Sequence, residues 1–153
     1  EKGILDIGLL MEPVDVGKYE FIRMPQKEKW GILVRKDSDL AAKESVNPED
    51  LTGVPLIMVK RELVKNELAS WFGDYYEGLQ IAATYNLILN AAAMVERGIG
   101  MALCFDLGVA FYEDLCFIPL NPTLETGSVL VWKKNQTLGL ATSQFMSFLK
   151  NAF

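Results

Sequence analysis

The chain has 153 residues, half of them hydrophobic and 23% charged, so it can bury a real core as one ordinary domain or two small lobes. Its net charge of −5 argues against holding nucleic acid unaided, because neutralising phosphates takes clustered Lys and Arg. The absence of histidine excludes Ser-His-Asp chemistry and His-containing zinc sites, and no apolar run reaches the roughly 18 residues of a membrane span.

In chain order, residues 3–10 alternate around Leu5, Ile7 and Leu9 as an apolar strand that ends at Met11, Glu12 and Pro13. Because the sequence opens almost inside this strand, with no signal peptide legible, it reads as a fragment of a longer protein. Residues 12–18 form a loop through Pro13, Asp15 and Gly17. Strands are expected at Tyr19–Met24, stopped by Pro25, and at Trp30–Val34. These two lie close enough in sequence to be expected as neighbours. Asn47, Pro48, Glu49 and Asp50 make a well-formed start to a one-turn helix that Gly53 ends: a cap, a first-turn proline and two carboxylates at the positive end of the dipole.

Val54–Val59 is a buried strand, and Glu62–Phe72 an amphipathic helix with Val64, Leu68, Trp71 and Phe72 on one side and Gly73 as its stop. Leu79–Ala83 is strand. The most informative segment is 84–104, a helix of about twelve residues that hands the chain directly to a fully apolar strand. Ile88, Ala91 or Ala92, and Val95 recur at helical spacing, while Arg97 and Gly98 supply the cation and the left-handed residue that helix C-termini favour. After Asp106, residues 107–112 suggest a helical turn. Strands follow at Leu115–Leu120 and Ser128–Trp132, separated by a turn around Asn121, Pro122 and Gly127. A closing helix carries Leu138, Ala141, Phe145, Phe148, Leu149 and Ala152 as its apolar face. Strand and helix alternate through the middle, which favours a mainly parallel α/β sheet.

Several motif-like features are better explained by structure. Gly98 and Gly100 follow a helix and precede a strand, the reverse of a dinucleotide fingerprint. The pairs Asp74 with Glu77 and Glu49 with Asp50 sit at a helix end and a helix start, where solvation or dipole compensation accounts for them better than acid–base catalysis. Cys104 and Cys116 lie in apolar strands and read as small buried hydrophobes in a reduced compartment. No cofactor or metal site is expected.

Five stretches in order resemble the effector-binding domain of LysR-type bacterial transcriptional regulators: Gly3-Ile-Leu-Asp6-Ile-Gly8; Trp30-Gly-Ile-Leu-Val34 with Asp39-Leu-Ala41; Asn47-Pro-Glu-Asp-Leu-Thr-Gly-Val-Pro-Leu-Ile57; Met94-Val-Glu-Arg-Gly-Ile-Gly-Met-Ala-Leu103; and Phe145-Met-Ser-Phe-Leu149. Each is weak alone, but together they span essentially the whole chain. The resemblance implies an α/β fold like type 2 periplasmic binding proteins, two Rossmann-like lobes joined by two crossing strands with a small-molecule cleft between them. Lobe I would comprise 1–32 and 132–153 and be incomplete, and lobe II 33–131. The family's helix-turn-helix and linker helix have no counterpart here, so DNA would be reached only through the absent N-terminal domain. Cys104 and Phe105 stand where members often carry Leu-Pro.

On that analogy, ligand-facing positions are Met11 and Glu12, Lys60 and Arg61, Thr84 and Asn86, and Cys104 and Phe105. The helix starting near Asn86 points free N–H groups outward, which suits a carboxylate or phosphate; Asn86 or Thr84 can equally be its cap. Lys60 and Arg61 either clamp an anion or form a solvated loop before Glu62. Glu12 either opposes an anionic ligand or pairs with Arg61. The implied function is a cytoplasmic sensor of a small, carboxylate-bearing effector, not an enzyme. Exposed sheet surface in the incomplete lobe would drive homo-oligomerisation. The competing function is an extracytoplasmic solute-binding protein of the same fold.

Overall fold

A computed structural model describes residues 7–106, 108, 113–134 and 137–152. The fold is mixed α/β with two sheets. Its contacts divide the chain into two units, Glu1–Lys27 with Thr126–Phe153, and Glu28–Glu125. The expected strand residues 3–6 and, apart from residue 108, the expected helical turn at 107–112 lie outside the described residues.

The first unit holds β1 (Ile7–Met11), β2 (Tyr19–Arg23), β9 (Ser128–Lys133) and α3 (Leu140–Ala152). β9 is central and antiparallel to both neighbours, with Ile7 opposite Trp132 and Tyr19 opposite Lys133. Leu130 and Trp132 of β9 pack against Met146 and Leu149 of α3, with Ile7, Ile22, Met24 and Leu138 around them. Trp132 stays satisfied at its polar end, where Nε1 donates to Glu20 Oε2 at 2.9 Å. The buried line of α3 differs from expectation. Phe145 and Phe148 are 46% and 68% exposed, while the expected Leu149 does pack and is joined by Met146. One residue of helix is about 100° of rotation, so two adjacent apolar stripes fit the same period and only the facing β9 decides between them.

The second unit is built on β3 (Glu28–Arg35), β4 (Pro55–Val59), β5 (Gln80–Tyr85), β6 (Met101–Phe105) and β7 (Leu115–Pro119), in the spatial order β5-β4-β6-β3-β7. A two-residue strand, β8 (Glu125–Thr126), also pairs with β3. β4 runs parallel to β5 and to β6, whereas β3 is antiparallel to β6 and β7. The expected mainly parallel sheet is therefore a mixed one. The expected pairing of Tyr19–Met24 with Trp30–Val34 does not occur either: Pro25 ends β2, whose partner is the distant β9, and the next strand joins a different sheet. Proximity in sequence is overridden because each strand buries its apolar side against its own unit's core.

α1 (Glu62–Phe72) and α2 (Ile88–Glu96) cover opposite faces of this sheet. Leu56 and Met58 of β4 point toward Val64, Leu68 and Phe72 of α1, while Ile57 points toward Ala91, Ala92 and Val95 of α2. The period of two along β4 thus splits a continuous apolar strand between two cores. Burying each large side chain of α1 stabilises by about 1.5–3 kcal/mol. Gly73 at φ 57° ends α1, and Gly98 at φ 78° follows the end of α2. Gly100 has another role. A Cβ there would stand 2.7 Å from the Pro55 carbonyl oxygen, so only glycine lets the chain enter β6 beside β4. The turn at Pro48–Leu51 is a 3₁₀ helix, held by the Asp50 carboxylate, whose Oδ2 accepts from Asn47 N at 2.8 Å.

Candidate functional site

The parallel order β5-β4-β6 brings three strand ends to one edge. Val59 lies opposite Tyr85, and the register of Ile57 with Ala102 carries Lys60 level with Phe105. Lys60 and Arg61 follow β4, Asn86 and Leu87 follow β5, and Asp106 follows β6. The same edge receives the start of β3, because Trp30 pairs with Phe105. α1 and α2 both begin here, with N-caps at Arg61 and Leu87, and neither receives a side-chain cap. Two positive dipole ends and two cationic side chains meet at the carboxyl edge of a parallel sheet, where open α/β folds place their ligands.

The structure corrects the start of α2. The helix begins at Ile88, with Leu87 in extended conformation as its N-cap, so neither Thr84 nor Asn86 caps it. Asn90 N donates to Leu87 O at 3.0 Å, closing the first turn without side-chain help. Asn86 is exposed in the bend between strand and helix, and Thr84 is exposed within β5, opposite Met58. Lys60 N donates to Tyr85 O at 2.9 Å, which locks the edge, while its side chain is exposed. Arg61 is also exposed, and its carbonyl accepts from Lys65 N at 3.0 Å in the first turn of α1. Phe105 is half-buried, its ring 4.3 Å from that of Trp30.

Cys104 sits differently. It is fully buried against the α2 side of the sheet, and burial pushes its thiol up to about 12, with the Asp106 charge adding to the rise. Its side chain is core, not ligand surface. The Asp106 carboxylate is turned to its own loop, accepting from Gly108 N at 2.9 Å. Met11 and Glu12 belong to the other unit, at the end of β1. Met11 is opposite Ser128, and Glu12 N donates to Gly127 O at 2.9 Å. The Glu12 carboxylate accepts from Arg23 Nε at 3.1 Å.

Two residues support the edge in a way the sequence does not show, one of them, Tyr85, inside the stretch 84–86 expected to face ligand. Tyr85 is buried, and its hydroxyl donates to Leu103 O at 2.6 Å, tying β5 to β6 across β4; burial holds that phenol protonated well above its ordinary range. Trp30 is buried and braces Phe105. Both look like ordinary strand aromatics in sequence, and only their hydrogen bond and ring contact reveal the role. Among the described residues no His, Cys, Asp and Glu cluster could hold a metal ion, and no helix is long and apolar enough to cross a membrane.

Solved structures share this fold at low sequence identity. A putative LysR family transcriptional regulator from Pseudomonas aeruginosa is 19% identical, with a TM-score of 0.76 over 96% of this chain and 53% of that one. The effector binding domain of QuiR, solved in complex with shikimate, is 16% identical, with a TM-score of 0.80 over 94% of this chain and 69% of that one. The regulatory domain of CcmR from Synechocystis PCC6803, solved in complex with 2-PG, is 13% identical, with a TM-score of 0.72 over 96% and 73%. The chain thus spans about half the length of the first of these. Among curated protein sequences none gives a match. The family model of the LysR substrate binding domain matches residues 1–153, from end to end, and the chain belongs to that family.

Proposed function

We propose that this chain is the sensing part of a LysR-type transcriptional regulator and takes a small carboxylate-bearing effector at the carboxyl edge of β4, β5 and β6. The observation that carries this is the meeting of Lys60, Arg61 and the uncapped starts of α1 and α2 at one edge of the second unit. Backbone N–H groups there can bond one carboxylate oxygen while a cation takes the other. The polar end of Thr84, Asn86 and the ring of Phe105 would set which acid fits. Solved relatives in complex with shikimate or 2-PG support an anionic effector.

Binding passes a signal only if it favours one arrangement of the protein over another. In the whole protein that change would be read by a DNA-binding domain, in the cytoplasm. Self-association fits the same role: Phe145 and Phe148 on α3 are 46% and 68% exposed, and Leu9 and Phe21 of the sheet 60% and 40%, apolar side chains of the kind that pairing of copies would cover. A strictly monomeric mass in dilute solution would count against that part.

Calorimetry with shikimate, benzoate and citrate, each as its sodium salt, tests the assignment. Lys60→Gln and Arg61→Gln should each weaken the acid that binds by about tenfold to a hundredfold, the loss of one charge-assisted bond at about 1.5–3 kcal/mol. Exclusive binding of organic cations would overturn it.

A further inference from the structure

The opposite edge of the second unit carries an open cavity, about 560 Å³ in volume and lined by the exposed residues Arg35, Lys36, Asp37, Glu96, Arg97 and Asp114. It lies at the far end of α2 from Asn86, and the 9 residues of α2 span about 13 Å at 1.5 Å per residue. Three elements form its walls, and hydrogen bonds fix all three. The Arg35 guanidinium grips Asp37 through two parallel bonds, Nε to Oδ1 at 3.0 Å and Nη2 to Oδ2 at 2.9 Å. Its remaining nitrogen, Nη1, donates to Glu96 O at 3.1 Å, tying the end of β3 to the last turn of α2. Lys36 N donates to Asp114 O at 2.9 Å, tying the same strand end to the approach to β7. Each of the three guanidinium nitrogens is bonded, so the charge of Arg35 is committed to the frame.

The other charges are held less tightly, although the Asp114 carboxylate acts on the Arg35 guanidinium from a distance. Among the described residues, the side chains of Lys36, Arg97, Glu96 and Asp114 form no ion pair, although cations and carboxylates line one cavity. Opposite charges that share a cavity without closing on each other leave room for a molecule that answers both. We infer that this cavity binds a small zwitterion, an α-amino acid, with its ammonium toward Glu96 and Asp114 and its carboxylate toward Lys36 and Arg97. The inference does not depend on where the effector binds. An exposed mixed-charge site should hold its ligand with millimolar affinity, because water competes for every contact.

The test is a titration of the whole ¹⁵N-labelled chain with L-alanine, using acetate and methylammonium as probes of each half of the charge. L-alanine should move the amide signals of Lys36, Arg97 and Asp114 saturably, and each half-charge probe should bind at least tenfold more weakly. Arg97→Gln and Asp114→Asn should each weaken L-alanine at least tenfold. If a variant fails to fold, the comparison of the three probes on the unaltered chain still decides. Acetate binding as tightly as L-alanine, shifts confined to Asn86, Leu87 and Phe105, or no saturable shift at all would each overturn the assignment.

Discussion

Two glycines and one cysteine show how a single atom sets the terms locally. At Gly100 a methyl group would strike the Pro55 carbonyl at 2.7 Å, and at Gly31 it would stand 2.5 Å from the Ile118 carbonyl. Backbone oxygens cannot step aside as a side-chain tip can. Gly100→Ala should therefore cost about 1–3 kcal/mol in urea unfolding, as overpacking usually does, whereas Gly78→Ala, with open space around it, should cost far less. Cys104 gives a pH signature. Its buried thiol is raised to about 12 in the folded protein, against an ordinary value near 9. Neutral thiol is what the fold accepts, so its contribution is fully present below pH 9 and is lost as pH rises toward 12, at about 1.4 kcal/mol per pH unit. Cys104→Ala removes that titration. It should be the weaker protein at pH 7, and the gap to the parent should narrow by pH 10. A gap that widens would mean the thiolate is accommodated.

At the scale of elements, sequence and structure agree best where one face alone is apolar and both ends are marked. α1 runs from Glu62 to Phe72 as expected, because Val64, Leu68 and Phe72 leave one choice of inward face and Gly73 stops the helix. Leu68→Ala should cost about 2–5 kcal/mol, the range for emptying a fully buried position. α3 shows the limit. Phe145 and Phe148 are more hydrophobic than Met146, so they read as core, yet the helix presents Met146 and Leu149 to β9. Met146→Ala should therefore destabilise by about 2 kcal/mol or more, while Phe148→Ser should leave stability nearly unchanged and reduce self-association. Strand pairing was the least legible feature, since nothing local in Tyr19–Arg23 says that its partner lies more than a hundred residues away.

For the whole molecule, the family could be read from five short stretches, and the full-length match to the LysR substrate binding domain agrees with them. The candidate site was legible where it depends on position after a strand: Lys60, Arg61, Asn86 and Phe105 all gather at one edge. What escaped notice depends on three-dimensional encounter. Examples are the Tyr85 hydroxyl on Leu103, the Trp30 ring on Phe105, and the Arg35 clasp that joins residues 61 positions apart. The clasp also makes a prediction for the molecule as a unit. Arg35→Gln releases both Asp37 and the Glu96 carbonyl, so the amides of Glu96 and Arg97 should exchange with solvent faster while those of α1 do not.

The central place of β9 between β1 and β2 has a consequence for how the polypeptide is made. Residues 28–125 form a continuous unit whose partners all emerge from the ribosome in one stretch. β1 and β2 emerge earlier, and among the described residues they pair only with a strand synthesised after that stretch is complete. Their pairing with β9 must therefore wait until residues 28–125 have been made, so the middle unit can fold ahead of it.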